Sequence, residues 1–258
     1  MQNSPLVSVV MSVYNGGDCV GSAIESILRQ SYKNFEFIVV NDGSNDESLE
    51  ILKEYAKKDS RIIIINQENI GLTKSLNKAI KSAKGKYIAR QDADDISLQD
   101  RLQKQVEFLE TNEGVVLLGT NQYEVFGDKE AIGRYYDDKE INKIVYIYNP
   151  FAHTSAMFRG DVFIKIGMYD ENYKTSQDFE AWMRMAKEGK IAMLKEPLVK
   201  RVINPNSITK KRKKEQYLTA FKIRLRHAEV GYFAAIMASI YQAIMAHMPK
   251  WIIDLKRG

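Results

Sequence analysis

Leu6-Val7-Ser8-Val9-Val10-Met11-Ser12-Val13, followed at once by Tyr14-Asn15-Gly16, is the stretch on which the fold turns. A short β-rich apolar run that ends in a polar turn reads as a strand buried on both faces. A helical segment follows from about Asp18 to Gln30, with Val20, Ala23, Ile24, Ile27 and Leu28 on one face. The alternation repeats as Phe35 to Val40 then Glu47 to Lys57, Ile62 to Ile65 then Leu72 to Ala83, and Tyr87 to Gln91 then Gln99 to Thr111. Such βα units predict an α/β fold: a doubly wound, mostly parallel sheet with right-handed crossovers and ligands bound beyond the strand C-termini. The strand ends Tyr14-Asn15-Gly16, Asn41-Asp42-Gly43-Ser44 and Asp92-Ala93-Asp94 are therefore expected to meet on one edge.

The fourth unit carries Arg90-Gln91-Asp92-Ala93-Asp94-Asp95 directly after Tyr87-Ile88-Ala89. Crowded carboxylates repel one another unless something positive sits among them, and a hard divalent cation held by oxygen ligands is the usual remedy. The cluster reads as a metal and diphosphate site. The plainer alternative is a solvated acidic turn, with Ser97 or Asp95 capping the helix that follows.

At 258 residues the chain is long enough to bury a full core as one large domain with an appendage. A single cysteine, Cys19, excludes an internal disulfide framework and fits a reducing compartment. The N-terminus has no basic region and too short an apolar run for a secretory signal, so a cytoplasmic catalytic part is expected. Of the net charge of +5, the residues from Pro205 onward carry +8, with eleven Lys and Arg against three Asp and Glu. The first 204 residues are left at −3, and an anionic surface is expected as partner of the tail alone.

Val9 to Asn15, Val39 to Asp46, Asn69-Ile70-Gly71-Leu72 through Asn77, and Gly85-Lys86-Tyr87-Ile88 with the acidic triplet together resemble the N-terminal half of a family 2 glycosyltransferase of the A-type fold. The resemblance covers about the first 110 residues in order and spacing, with further pieces to about residue 209. It implies a nucleotide diphosphate sugar donor and inversion at the anomeric carbon. The domain reading follows: a catalytic domain over residues 1–209, with a nucleotide-sugar half (1–111) and an acceptor half (112–209), and a basic helical tail over 210–258.

The resemblance also assigns residues. Asp42 matches the family's base-contacting carboxylate, commonly on uracil, while Asn41-Asp42-Gly43 is equally a turn with Ser44 capping the next helix. Tyr14 and Asn15 would lie beside the base or ribose. Lys74 is near enough to meet a phosphate, or is a solvated charge on a lysine-rich helix. Asp92, Ala93 and Asp94 match the Asp-any-Asp motif, in which the later carboxylate binds Mn²⁺ or Mg²⁺ and the earlier approaches the ribose or a metal-bound water. Asp95 is assigned to local structure.

In Ser176-Gln177-Asp178-Phe179-Glu180-Ala181-Trp182-Met183-Arg184, Asp178 matches the family's catalytic base, and Gln177 replaces the commoner Glu. An inverting transfer needs such a carboxylate on the acceptor side to take the hydroxyl proton; the alternative is a helix cap. His153, within Asn149 to Arg159, resembles a family histidine lining the acceptor or diphosphate pocket, and is otherwise structural. Arg201 lies in a stretch similar to the family's closing motif, where Asn204 stands in place of a common His.

The tail opens with Lys210-Lys211-Arg212-Lys213-Lys214, and Val230 through Pro249 contains no formally charged residue. Phe233, Ile236, Met237, Ile240, Tyr241, Ile244, Met245 and Met248 recur there at helical spacing. An interfacial helix on an anionic membrane is expected, at the inner face of the cytoplasmic membrane. The alternative is a helix packed on its own domain or on a second subunit as a homodimer. The reading as a whole is a metal-dependent enzyme that transfers a sugar to a glycan or polyprenyl-diphosphate-linked glycan. A sugar nucleotidyltransferase would carry a cationic glycine-rich loop after the first strand, which Tyr14-Asn15-Gly16-Gly17-Asp18 lacks. A silent nucleotide-binding scaffold would not need Asp92, Asp94 and Asp178, and a nucleic-acid binder would not confine its charge to the tail.

Overall fold

The computed structural model describes residues 4–203 and 213–227. The helical stripe over 230–249, Asn204 and the basic run 210–212 lie outside the described residues.

The N-terminal half is built as the alternation predicts: β1 (Val7–Val13), α1 (Val20–Leu28), β2 (Phe35–Asp42), α2 (Ser48–Lys58), β3 (Ile62–Gln67), α3 (Leu72–Ser82) and β4 (Tyr87–Arg90). These strands pair in parallel in the order β3-β2-β1-β4. β1 and β2 are almost wholly buried, which is why they read as near-continuous apolar runs. Alternation along the strand divides them between two cores. Val7, Val9, Met11 and Val13 face α1, α2 and α4 (Arg101–Thr111), whereas Val10 joins α3 on the other face.

The second half supplies the antiparallel pairings of the mixed, mostly parallel sheet. β5 (Ile96–Ser97), β6 (Val115–Phe126), β7 (Lys129–Ile132), β8 (Met157–Arg159) and β9 (Lys190–Val202) complete a nine-stranded sheet among the described residues. β8 is antiparallel to both β4 and β6, and β6 is parallel to β9. α5 (Asp138–Ile144), α6 (Gly160–Lys165) and α7 (Gln177–Glu188) pack on the α3 side around buried Trp182, Phe158 and Phe163. α8 (Lys213–Arg226), inside the stretch read as tail, packs on α7 through Ile223, Phe179 and Met183. No helix among the described residues is long and apolar enough to cross a membrane.

The sheet order reverses between β1 and β4, since α1 leads outward on one side and β4 lies on the other. In such sheets ligands enter the crevice at that reversal, beyond the strand C-termini.

Candidate active site

The three polar strand ends do meet on this edge. Asn15, with a left-handed φ of 51°, turns the chain after β1. Its N–H donates to Ser44 Oγ at 3.0 Å, its Oδ1 accepts the Asn45 N–H at 2.9 Å, and the Gly17 N–H donates to Asp46 at 2.9 Å. Ser44 therefore does not cap α2, as the turn reading allowed. Asp46 takes the Ser48 N–H there instead, and Ser44 locks two loops together. On the other flank, a Cβ at Gly16 would lie 3.9 Å from that of Ala93. Tyr14 stands at the mouth, 53% exposed.

Asp42 is placed differently from a free base-reading carboxylate. It is 2% exposed and accepts the Ile70 and Gly71 N–H groups and the Gln67 side-chain amide, each at 2.9 Å. A carboxylate offers about four acceptor positions, so roughly one remains. The carboxylate fastens the β3–α3 loop across the end of β2. Beside it opens a cleft of about 520 Å³ lined by Asn41, Gly43, Ser44, Asn66, Gln67 and Asn69. Asn41 Oδ1 and Gln67 Oε1 are buried without protein partners beside this cleft. Gly43 is needed here: its φ is +71°, and a Cβ would come within 2.6 Å of the Asn69 nitrogen. Lys74 is exposed on α3.

Beneath the acidic triplet lies positive charge. Arg90, fully buried, donates to Asp92 Oδ1 at 2.5 Å and to the carbonyls of Val10 and Gln91, leaving Nε without a partner. Arg101, also fully buried, donates to Gln105, Ser97, Gln91 and the carbonyls of Arg90 and Ala156. Burial, then the neighbouring Arg90 charge, lowers it to about 9. The alternative of a cap on α4 fails: Ser97 and Asp95 face inward, and Asp100 at the helix start makes no side-chain cap. Asp95 accepts the Val202 N–H at 3.0 Å and is pushed well above the usual carboxylate range by burial and by Asp92 and Asp94. It ties β9 to the triplet, in keeping with a local structural part.

Asp92 and Asp94 differ. Burial raises Asp92, but Arg90, then His153, Arg201 and Arg101, hold its carboxyl below the ordinary value. Asp94, exposed, is raised by desolvation and by the Asp92 charge. Repulsion is thus only partly answered by protein cations, and oxygen-only ligands suit a hard divalent ion. No three His, Cys, Asp or Glu side chains among the described residues group closely enough to hold a metal by themselves. A cation at Asp92 and Asp94 fits if phosphate oxygens complete its shell, the habit of Mg²⁺ at nucleotide sites.

Asp178 sits in the first turn of α7, half-buried, and is not the cap: Ser176 holds that position with φ of 59°. Asn149 Nδ2 donates to Asp178 Oδ2 at 2.5 Å, and the Phe179 N–H to Oδ1 at 2.8 Å. Gln177 is buried. His153 lies in the segment, Asn149 to Thr154, that reaches both Asp178 and Asp92. Burial, then Arg90, depress its imidazole to about 4, while Asp178 and Asp92 pull the other way. Its Nε2 meets the Tyr169 hydroxyl at 2.7 Å, and the adjacent Thr154 hydroxyl accepts the Asp92 N–H at 3.2 Å. Arg201, on β9, acts on the same triplet.

Arg90, Arg101 and Asn149 are contributors that the motif reading left unassigned. Arg90 had a signal, being a cation adjacent to three acids. Arg101 and Asn149 had none, because their partners are distant in sequence.

A parallel half with a carboxylate-lined crevice, joined to a mixed half that presents a second carboxylate, is the glycosyltransferase A-type architecture. The chain belongs to glycosyl transferase family 2, whose family model matches residues 8–167. It is 38% identical over 240 residues to an uncharacterised glycosyltransferase of Methanocaldococcus jannaschii, covering 90% of this chain and 82% of that one. It is 36% identical over 186 residues to the O-antigen biosynthesis glycosyltransferase WbnJ of Escherichia coli, covering 71% and 72%. Among solved structures, S. aureus TarS 1-349 in complex with UDP-GlcNAc superposes with a TM-score of 0.73 at 19% identity, over 90% of this chain and 69% of that one. The mannosyltransferase PcManGT of Pyrobaculum calidifontis, in complex with GDP-Man and Mn²⁺, gives 0.70 at 16% identity, over 96% and 77%.

Proposed function

We propose that the chain is an inverting glycosyltransferase that moves a sugar from a UDP-sugar to a hydroxyl of a lipid-linked or polysaccharide acceptor in cell-surface glycan synthesis. The observation that carries this reading is that one short segment, Asn149 to Thr154, holds both carboxylates: Asn149 donates to Asp178 on the acceptor side, and Thr154 accepts the Asp92 N–H on the donor edge.

The cleft at the ends of β2 and β3 takes the base, with Asn41 and Gln67 among its lining residues and Asp42 fastening the loop beside it. Tyr14 and Asn15 border the base or ribose. Asp92 and Asp94 would hold Mn²⁺ or Mg²⁺ at the donor diphosphate, and Arg201 and Lys74 would add positive charge near it. The ion, when bound, neutralises the charge that develops on the leaving diphosphate. Asp178 accepts the proton of the attacking hydroxyl, which is needed only in the transition state. Asn149 holds one of its oxygens, and neutral His153 orders the wall between the two carboxylates without adding a charge. A catalytic Asp178 opposite the donor edge implies attack from the far face and hence inversion.

The O-antigen relative favours a glycan acceptor, and the +8 charge of residues 205–258 favours work at an anionic membrane surface. Melting temperature against a panel of UDP-, GDP- and TDP-sugars, with and without Mn²⁺ or Mg²⁺, tests the donor; native-state binding raises it with ligand concentration. No stabilisation by any of them with metal would sink the donor reading. NMR of the product's anomeric centre tests inversion, and a retained configuration would overturn it. Flotation with anionic and neutral vesicles tests the membrane role.

A further inference from the structure

We propose that Arg224 of α8 is a positioning residue for Asp178, making α8 a working part of the acceptor half. The proposal rests on the reading of Asp178 as the base. Two chain segments converge on that carboxylate: the one bearing Asn149, which follows α5, and the first turn of α7. Arg224 grips both. The residue is 3% exposed, and its Nε donates to the Ile147 carbonyl at 2.7 Å, two residues before Asn149. Its central carbon lies 5.1 Å from the ring centre of Phe179, the residue after Asp178. One planar guanidinium thus spans from the backbone that presents Asn149 to the ring beside the base.

The rest of α8 reinforces this grip at neighbouring points. Thr219 Oγ1 lies 3.3 Å from Thr175 Oγ1, immediately before the left-handed Ser176 that aims the first turn of α7. Ile223 is fully buried against Phe179 and Met183. His227 reaches Glu180 at 3.3 Å, and Glu180 is also bound by Arg184. These contacts fall on the turn that carries Asp178 and the turn after it. Among the described residues these contacts involve none of Asp42, Asp92 and Asp94, so disturbance here should be felt by proton transfer and little by donor binding. A displacement of about 1 Å in a reacting group can cost on the order of 100-fold in rate.

The test is steady-state transfer and donor calorimetry on full-length Arg224→Met, Arg224→Lys, Asn149→Ala and Asp178→Asn, with Arg224→Met also combined with Asn149→Ala. We expect Arg224→Met to lower kcat about 10- to 100-fold with donor Kd within about twofold. Arg224→Lys should recover part of the loss, because an ammonium still reaches the Ile147 carbonyl but cannot cover the Phe179 ring. The pair with Asn149→Ala should be less than additive, since both act on one carboxylate. Wild-type kcat in folded Arg224→Met, a fully additive pair, or donor affinity falling in step with kcat would each overturn the proposal. Near wild-type transfer by Asp178→Asn would instead overturn the base reading beneath it; an inactive Asp178→Asn beside a fully active Arg224→Met overturns this proposal alone.

Discussion

The Arg90 guanidinium, wholly shielded from solvent, donates to the Asp92 carboxylate at 2.5 Å, so the first acid of the motif is anchored from below by the residue two places before it. That pairing makes the two motif acids unequal. Removing Asp92 strands a buried cation as well as altering the cleft. Asp92→Ala is expected to cost about 3 kcal/mol, the low end for breaking a buried pair because Arg90 keeps two carbonyl partners. Urea denaturation measures it, and a loss below about 1 kcal/mol would show that Arg90 does not depend on Asp92.

Asp94 is exposed and has no such anchor among the described residues. Asp94→Ala should leave the ligand-free melting temperature nearly unchanged, while abolishing the Mn²⁺- or Mg²⁺-dependent part of donor binding and transfer. Wild-type turnover by the purified variant at the same metal concentration would exclude a metal role for this residue.

Asp178→Asn keeps the shape of the side chain and removes its basicity. Transfer is expected to fall by about 100- to 10,000-fold, the usual worth of a general base, with donor affinity preserved. Calorimetry alongside turnover decides the matter: parallel losses would make Asp178 a donor-site residue.

His153 is held neutral, from an ordinary value of 6.5 down to about 4, by burial and by Arg90 against the pull of Asp178 and Asp92. Between pH 6.5 and pH 4 the unfolded chain therefore binds a proton here that the folded chain does not. Stability from this site is complete above pH 6.5, declines as pH falls through that window, and levels off below about 4. Urea titrations of wild type and His153→Gln at several pH values should differ in slope across this range. An NMR titration of the imidazole centred near 6.5 would contradict the burial argument.

Gly43→Ala forces a Cβ to within 2.6 Å of the Asn69 nitrogen at a φ of +71°. The left-handed conformation alone costs a non-glycine residue about 1 kcal/mol, and relief of the contact must move the β3–α3 loop that Asp42 fastens. Lower stability together with weaker donor binding is expected. Unchanged donor affinity would separate this loop from the donor cleft.

The amino-acid sequence by itself determined the parallel half and its working edge. Val7 to Val13 and Phe35 to Asp42 are buried on both faces, and each ends in a polar turn, so strand, turn and edge are all written in local pattern. The order of the motifs then led to Asp92, Asp94 and Asp178. What only the tertiary structure decided comes from contacts between distant segments. Asp42 proved to be a fastening for Ile70 and Gly71, and Ser44 a lock on Asn15 in place of a helix cap. β8 entered antiparallel between β4 and β6, because its three residues carry too little pattern to reveal a partner or direction. Arg101 reached Ala156, Asn149 reached Asp178, and Arg224 reached Ile147 across separations that no periodicity encodes. Periodicity reports which face of an element is buried, whereas the partner of a buried polar group is chosen only when the chain closes and each donor must find an acceptor.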